Sequence, residues 1–238
     1  MSKENEHGGN MSTYLLNRSI HLSEQKMVRP STNERLQLAK WLLIGACVLL
    51  ASCVSTPPSI MRLGDQVFVT TFPQTSEIAG TQNRITVPKG FITDLASIPP
   101  LLESIESKSG PTMQAGILHD FLYWDQTCLR EEADAALLLE LEDSGVPEWK
   151  RRDIYLVVSG VGKFAFKKNS DAKAAGETRF LSSDYVDKLQ KTMAKGNPTL
   201  KDIQSKAREQ GALITYSYPN PATLKAACAA ALKAVTSR

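Results

Sequence analysis

The chain has 238 residues, of which 22% are charged, and its formal net charge at pH 7 is +3. This balance is that of an ordinary globular protein. It lacks the clustered basic face that a nucleic-acid partner would require, so no such partner is expected. The length allows one or two domains, and no repeat of fixed period is visible.

The N-terminal region predicts export rather than folded structure. Residues 1–26 are polar, mixed in charge and without periodicity, which predicts a disordered extension. Residues 27–52 have the organisation of a signal peptide, because Arg35 and Lys40 precede an uncharged run at 41–51. That run is too short for a membrane span, which needs roughly 20 residues, and has the length of a signal-peptide apolar region, about 7–15 residues.

The end of this run, LASC at residues 50–53, resembles a bacterial lipobox, in which an aliphatic residue and two small residues precede a cysteine. The resemblance implies cleavage before Cys53, acylation of its thiol and a membrane anchor for the mature chain. Val54 follows the cysteine. The sorting rule of such lipoproteins then implies the outer membrane, facing the periplasm. A transmembrane anchor or an unprocessed apolar stretch is the alternative interpretation.

The first part of the mature chain predicts strands. Residues 53–64 are expected to be a tether. The β-branched and aromatic residues of DQVFVTTF (65–72) and NRITV (83–87) predict two strands. The turn-rich segment between them allows a short third strand. In PKGFITDLASIPPLLE, a turn is followed by a short element that ends at the Pro99–Pro100 pair.

Helices follow. PTMQAGILHDFLYW begins at Pro111, and LREEADAALLLELEDSG ends at Gly145, which suit a helix start and a helix stop. PEWKRRDIYLVVSGVGKFAF opens with Pro147 and has an apolar stripe at near-helical spacing. The members of this stripe are Trp149, Ile154, Val157, Val158 and Val161.

The tail is predicted to be a loop at 169–180, two short helices near 183–195 and 199–210, and a last helix with Asn220 as N-cap and Pro221 in its first turn. One face of that helix is apolar and comprises Leu224, Ala227, Cys228, Ala231, Leu232 and Val235. The fold class expected is α+β. A small antiparallel β-sheet packs on a helical bundle in a core domain at 65–168, and a helical C-terminal extension occupies 169–238.

GILHDFLYW (116–124) contains His119, the only histidine beyond the predicted signal segment. The next helix has Asp134 at the head of its apolar stripe, with Leu137, Leu138 and Leu141 three, four and seven residues later. A buried carboxylate needs a partner, which is either Arg130 on the same helix or His119 on the preceding one. Pairing with His119 would fix its tautomer and leave the other ring nitrogen as a general base. It requires a separation of about 2.6–3.2 Å.

Other polar residues have more than one interpretation each. Asp120 is turned about 100° from His119, while Tyr123 can lie near both. If Asp134 pairs with His119, Asp120 remains for a cation or a backbone amine. Asp94 is either an N-cap, an oxygen ligand for a metal ion or a brace for the histidine–aspartate helix. Ser97 lacks the G-x-S-x-G elbow of a serine nucleophile. Cys128 and Cys228 either form a disulfide in an oxidising compartment or are a core residue and a free thiol.

Three blocks in order, VPKGFITDLASIPP, AGILHDFLYW and REEADAALLLEL, resemble the family called domain of unknown function 1353, which occurs in bacteria, phages and prophages. The resemblance covers residues 65–165 and leaves the tail at 169–238 uncovered. It implies an uncharacterised domain, which here follows the predicted lipoprotein signal peptide. The family name itself implies no activity.

The histidine–aspartate helix is also similar to that of prokaryotic secreted phospholipase A-two, which has a tyrosine three residues after the aspartate and a second aspartate on the antiparallel helix. The resemblance implies that His119 activates water, Asp134 orients His119 and Asp120 binds calcium, with Asp94 as a further oxygen ligand. This sequence lacks the glycine-rich calcium loop before the helix and the cysteines that flank the pair. Calcium prefers six to eight oxygen ligands, of which Asp94 and Asp120 supply few.

Two functions are therefore expected. One is a membrane-anchored envelope lipoprotein with a hydrolase site for lipid or cell-wall material. The other is a non-catalytic envelope module that binds a protein partner, whose identity the sequence leaves open, through its C-terminal helices. Convergence of Asp94, His119, Asp120 and Asp134 in an open cleft would favour the enzyme, and burial with every polar atom paired would favour a structural role.

The lipobox generates the first prediction. Cells fed a clickable fatty acid should label the wild-type protein, because an acylated Cys53 carries the lipid. Cys53→Ser should remain unlabelled, whereas Cys47→Ser, in which the cysteine lies inside the predicted signal segment, should still be labelled. Labelling of Cys53→Ser would rule out this anchor.

Overall fold

The computed structural model describes residues 60–64, 66–78, 82–95, 111–192 and 198–238. These residues lie within one compact unit, Ser55–Arg238. The predicted disordered extension, signal peptide and lipidated Cys53 lie outside the described residues, as does Ser97. None of the described helices combines the length and the apolar character that a membrane crossing requires.

Two small antiparallel sheets form the β part of the fold. The strands are β1 (Ile60–Gly64), β2 (Val67–Thr70), β3 (Gln74–Glu77), β4 (Arg84–Val87) and β5 (Ile92–Thr93). One sheet has the order β1-β2-β5, and the other pairs β3 with β4. The two predicted strands are present, and the turn-rich segment between them contains β3. The predicted tether at 53–64 is wrong at its C-terminal end, because residues 60–64 form β1, which pairs with β2 and buries Leu63.

The helices are α1 (Pro111–Asp125), α2 (Arg130–Asp143), α3 (Glu148–Ala174), α4 (Ser183–Thr192), α5 (Leu200–Glu209) and α6 (Pro221–Thr236). The α+β class with a helical C-terminal part is confirmed. The boundary expected at residue 168 and the start of the predicted loop are wrong, because α3 continues to Ala174. The segment DAKA is rich in good helix formers, and the helix ends before Gly176, whose φ is 79°.

The predicted apolar stripe of α3 is only half correct. Ile154 and Val158 are 1% exposed and pack with α1 and α2. Trp149 is 57% exposed and Val161 is 48% exposed, so neither belongs to the core. The near-helical spacing grouped residues from two sides of a helix that is only partly covered by its neighbours.

The main core joins α1, α2, the β3–β4 sheet and α6. In α6, which begins after the N-cap Asn220 as predicted, Leu224, Ala227, Cys228 and Ala231 are buried. Cys128, in the loop between α1 and α2, forms a disulfide with Cys228 across 100 residues of sequence. The last helix is thus part of the core rather than a separate extension.

The tail also adds backbone to the edge of β5. The Ile92 amide donates to the Arg179 carbonyl at 2.7 Å, and the Leu181 amide donates to the Gly90 carbonyl at 2.9 Å. Gly90 has a φ of 90°, and a Cβ there would lie 2.1 Å from the Leu181 carbonyl oxygen. This close approach requires glycine, and it places Arg179 beside the residues that follow β5.

Candidate functional site

Two adjacent polar residues of α1 are buried in different surroundings. His119 is 0% exposed and Asp120 is 3% exposed. His119 lies at the contact with α2, whereas Asp120 interacts with Thr93 of β5. Adjacent positions on a helix differ by about 100°, which is why one helix supplies both clusters. The catalytic set expected from the sequence is therefore divided between two clusters.

Asp134 is the acceptor around which the first cluster is built. His119 Nε2 lies 2.9 Å from Asp134 Oδ1, so the predicted hydrogen bond is present. Arg130 Nη1 donates to Asp134 Oδ2 at 2.9 Å. The two partners that the sequence offered as alternatives thus bind one oxygen each. Arg130 also donates to the Ser159 carbonyl at 3.0 Å, which ties α2 to α3.

Tyr123 completes this cluster. Its hydroxyl donates to Asp134 Oδ1 at 2.5 Å, and its ring centroid lies 4.0 Å from that of His119. A Cβ on Gly162 of α3 would lie 2.3 Å from the Tyr123 hydroxyl oxygen. Gly162 therefore provides the space that this hydroxyl occupies. The sequence placed Tyr123 near the pair by helical spacing, but it carried no signal for Gly162.

One polar atom of the cluster has no partner. His119 Nδ1 is buried and makes no hydrogen bond within the described residues. Asp134 accepts bonds from Tyr123 and Arg130, and an ionised carboxylate can only accept, so His119 Nε2 carries the proton. Burial lowers the pKa of His119 from its ordinary value, and the hydrogen bond to Asp134 opposes this in part. At neutral pH the ring is neutral, with a lone pair on Nδ1.

Asp120 belongs to the second cluster, with Thr93, Asp94 and Arg179. The Thr93 hydroxyl donates to Asp120 Oδ2, and Arg179 Nη1 lies 3.6 Å from Asp94 Oδ1. Burial, together with the charge of Asp94, raises the pKa of Asp120 to about 7, against the opposing effects of Arg179 and Thr93. Arg179 also lies over the Trp124 ring, with its central carbon 5.4 Å from the centroid. Arg179 carries no signal in the sequence, because only folding brings the tail beside β5.

The calcium hypothesis can be tested against this second cluster. Asp94 and Asp120 come close enough for their charges to interact, as the hypothesis requires. Their two carboxylates supply at most four of the six to eight oxygen ligands that calcium prefers. Within the described part of the chain, no group of three or more His, Cys, Asp or Glu side chains is arranged to hold a metal ion. The described residues alone do not fit calcium, so no step is assigned to a metal.

Comparison with known proteins gives one match. Residues 71–158 match a family model described as "Protein of unknown function (DUF1353)". This segment belongs to the DUF1353 family. The DUF1353 segment contains the three residues proposed as catalytic, His119, Asp120 and Asp134, whereas Arg179 and α6 lie beyond it. No curated protein and no solved structure matches the chain.

The glycines of α3 generate a matched pair of variants. Gly162→Ala should push Tyr123 away from Asp134 and destabilise the protein by about 1–3 kcal/mol, the usual cost of overpacking. Gly160→Ala is the control, because a Cβ there meets nothing within 4 Å. It should raise stability by up to about 1 kcal/mol through helix propensity. Urea unfolding measures both, and equal effects would contradict the packing around Tyr123.

Asp120 generates a pH prediction. Folding raises the pKa of Asp120 from 3.8 to about 7, so the folded protein retains a proton that the unfolded chain releases between these values. The resulting stabilisation is complete below about pH 4 and is lost as the pH rises towards 7. Asp120→Asn keeps a neutral side chain, so its stability relative to wild type should increase across this range. The increase should be a few kcal/mol at most, since one pKa unit corresponds to about 1.4 kcal/mol.

Urea unfolding at a series of pH values measures this difference. Asp184→Asn, which replaces an exposed aspartate in the first turn of α4, is the control and should show no comparable trend. Stability curves for wild type and Asp120→Asn that run parallel from about pH 4 to 7 would refute the assignment.

Proposed function

We propose that this chain is a lipid-anchored bacterial envelope hydrolase of a phage-associated family, with His119 as its general base. The unpaired Nδ1 of His119 is the observation that carries the proposal. The other polar atoms around it have partners: Asp134 has three donors, and Arg130 bonds to two further acceptors. Buried polar atoms without partners are rare, and a catalytic role is one reason why a protein retains one.

The chemistry follows from the tautomer. Nδ1 accepts a proton from a water molecule while the water oxygen attacks the carbonyl carbon of an ester or amide. The resulting imidazolium keeps its Nε2–H bond to Asp134, whose negative charge stabilises it. The same nitrogen then returns the proton to the leaving group as the tetrahedral intermediate collapses. Arg130 and Tyr123 act as positioning residues, because they orient Asp134 rather than touch the substrate.

The substrate class rests on location. The lipobox predicts an anchor in the envelope, where lipid and cell-wall material are the abundant polymers and esters. Asp120, the second residue predicted to be catalytic, is held by Thr93 of β5 rather than by the α1–α2 contact. We assign it to binding of a polar group of the substrate. His119 is 0% exposed, so the side chains that cover Nδ1 must move when a substrate binds.

Complete burial favours a second candidate function. His119 and Asp134 are 0% and 1% exposed, which is typical of a polar cluster that holds two helices together. In this alternative the domain is a non-catalytic envelope module that binds a protein partner through its C-terminal helices. His119 then contributes stability and no turnover.

Two substitutions at His119 separate these functions. His119→Gln keeps an amide that donates to Asp134 in place of Nε2, and it removes the titrating nitrogen. His119→Asn is shorter and loses the bond to Asp134. If His119 is the base, both variants should lose about 10²–10⁴-fold in rate, and His119→Gln should keep most of the stability. If His119 is structural, His119→Asn should lose roughly 1–3 kcal/mol of stability, with no activity to lose.

The measurements are melting temperature and turnover on phospholipid vesicles and on peptidoglycan, each with and without calcium. Tyr123→Phe is the matched positioning variant, because it removes only the hydroxyl that holds Asp134. It should lower the rate less than His119→Gln does. A wild-type protein that is inert on both substrates, together with a destabilised His119→Asn, would leave the binding module as the better account.

A further inference from the structure

Helix α3 exposes an unusual amount of apolar surface. Seven large hydrophobic residues are exposed in the described part of the chain, and four of them lie on α3. They are Trp149 (57% exposed), Leu156 (61%), Val161 (48%) and Phe164 (70%). Large apolar side chains grouped on one element of a folded domain mark a surface that contacts something else.

Three of these residues share one side of the helix. At about 100° per residue, Trp149, Leu156 and Phe164 fall within a sector of about 80°. Ile154 and Val158, which pack on the core, lie on the opposite side. The exposed sector therefore runs along most of the length of α3, away from the rest of the domain.

Basic side chains border this sector. Arg152, Lys163 and Lys167 are exposed and lie within or next to it, so the whole set spans about 120°. Lys163 Nζ lies 5.2 Å from the Phe164 ring centroid. Asp153 and Asp171 lie inside the sector, between Trp149 and Phe164, and Asp171 pairs with Lys167 at 2.7 Å. The helix as a whole has seven Lys or Arg and three Asp or Glu, a net charge of +4.

A cavity lined by both basic and acidic side chains adjoins the N-terminal end of this face. Its volume is about 330 Å³, and Arg151, Arg152 and Tyr155 of α3 contribute to its lining. Glu142, Glu148 and Arg238 also line it, and Glu142 pairs with Arg151 at 4.0 Å. Arg152 lies next to the exposed sector and also in the cavity wall, so the recess adjoins the basic border of this face.

We propose that the α3 face, which comprises Trp149, Arg152, Leu156, Lys163, Phe164 and Lys167, docks on the surface of an anionic phospholipid bilayer. Tryptophan and phenylalanine insert at the headgroup level, while Lys and Arg keep their stems on apolar surface and their charges at the phosphates. The excess of basic residues selects an anionic lipid surface over a zwitterionic one. The inference deepens the proposed membrane anchoring, because the α3 face would add a second contact with the bilayer beside the lipid on Cys53. It does not depend on catalysis by His119.

The test places an environment-sensitive dye on the full chain. Phe164→Cys carries the dye on the α3 face, and Phe72→Cys is the matched control, since Phe72 is 60% exposed and follows β2. Both chains also carry Cys47→Ser and Cys53→Ser, so that the introduced thiol alone reacts, Cys128 and Cys228 being joined. The vesicles contain phosphatidylglycerol or only phosphatidylcholine, with lipids brominated on the acyl chain as quenchers.

With phosphatidylglycerol, quenching at position 164 should exceed that at position 72 by about twofold or more. It should fall to the level of position 72 with phosphatidylcholine alone, or when Arg152, Lys163 and Lys167 are all changed to Gln. Equal quenching at the two positions overturns the proposal. Quenching that is stronger at position 164 but equal with the two lipids would show that the face does not select an anionic surface, which also overturns the proposal.

Flotation of the unsubstituted full chain, examined in parallel, reports on the anchor. If the unsubstituted chain floats but the two dyes are quenched equally, the lipid anchor is supported and docking by the α3 face is refuted. If the unsubstituted chain does not float and quenching is also equal at the two positions, both the lipid anchor and docking by the α3 face are refuted. Turnover on phospholipid and peptidoglycan reports separately on the hydrolase.

Discussion

The buried carboxylate of Asp134 is the group on which the arrangement of the first three helices depends. A charge in an apolar interior is tolerated only when donors surround it. His119 and Tyr123 supply donors from α1, and Arg130 supplies one from α2 while bonding to α3. The same carboxylate sets the tautomer of His119 and leaves Nδ1 as the acceptor. Stability and candidate chemistry therefore share one network, and a change in either affects the other.

The tail is joined to the domain at two places. The Cys128–Cys228 disulfide holds α6 against the loop between α1 and α2. Backbone bonds from residues 179 and 181 to the β5 region place Arg179 beside Asp94. Because Asp94 in turn raises the pKa of Asp120, a residue of the tail influences protonation inside the DUF1353 segment. The segment that the family comparison covers is thus incomplete as an electrostatic unit without the tail.

Much of the site was predictable because it lies on two sequential helices. Asp134 heads an apolar stripe, so its burial and its need for a partner follow from spacing alone. A short loop makes α1 and α2 antiparallel neighbours, which brings His119 within reach of Asp134. Gly162 and Arg179 were not predictable. Gly162 contacts Tyr123 and Arg179 contacts Asp94, and in each pair the residues are 39 or more positions apart in the sequence. No local pattern encodes such a contact.

By itself, the sequence determined the α+β class, most helix limits and the burial of Asp134, because periodicity, caps and the cost of burying charge act over a few residues. Only the tertiary structure decided that strand β1 lies in the expected tether, that α6 belongs to the core and that Trp149 faces outward. It also decided that Asp134 takes His119 and Arg130 together, one on each oxygen. Local sequence sets which side chains share a face, but the neighbours that cover that face come from distant parts of the chain.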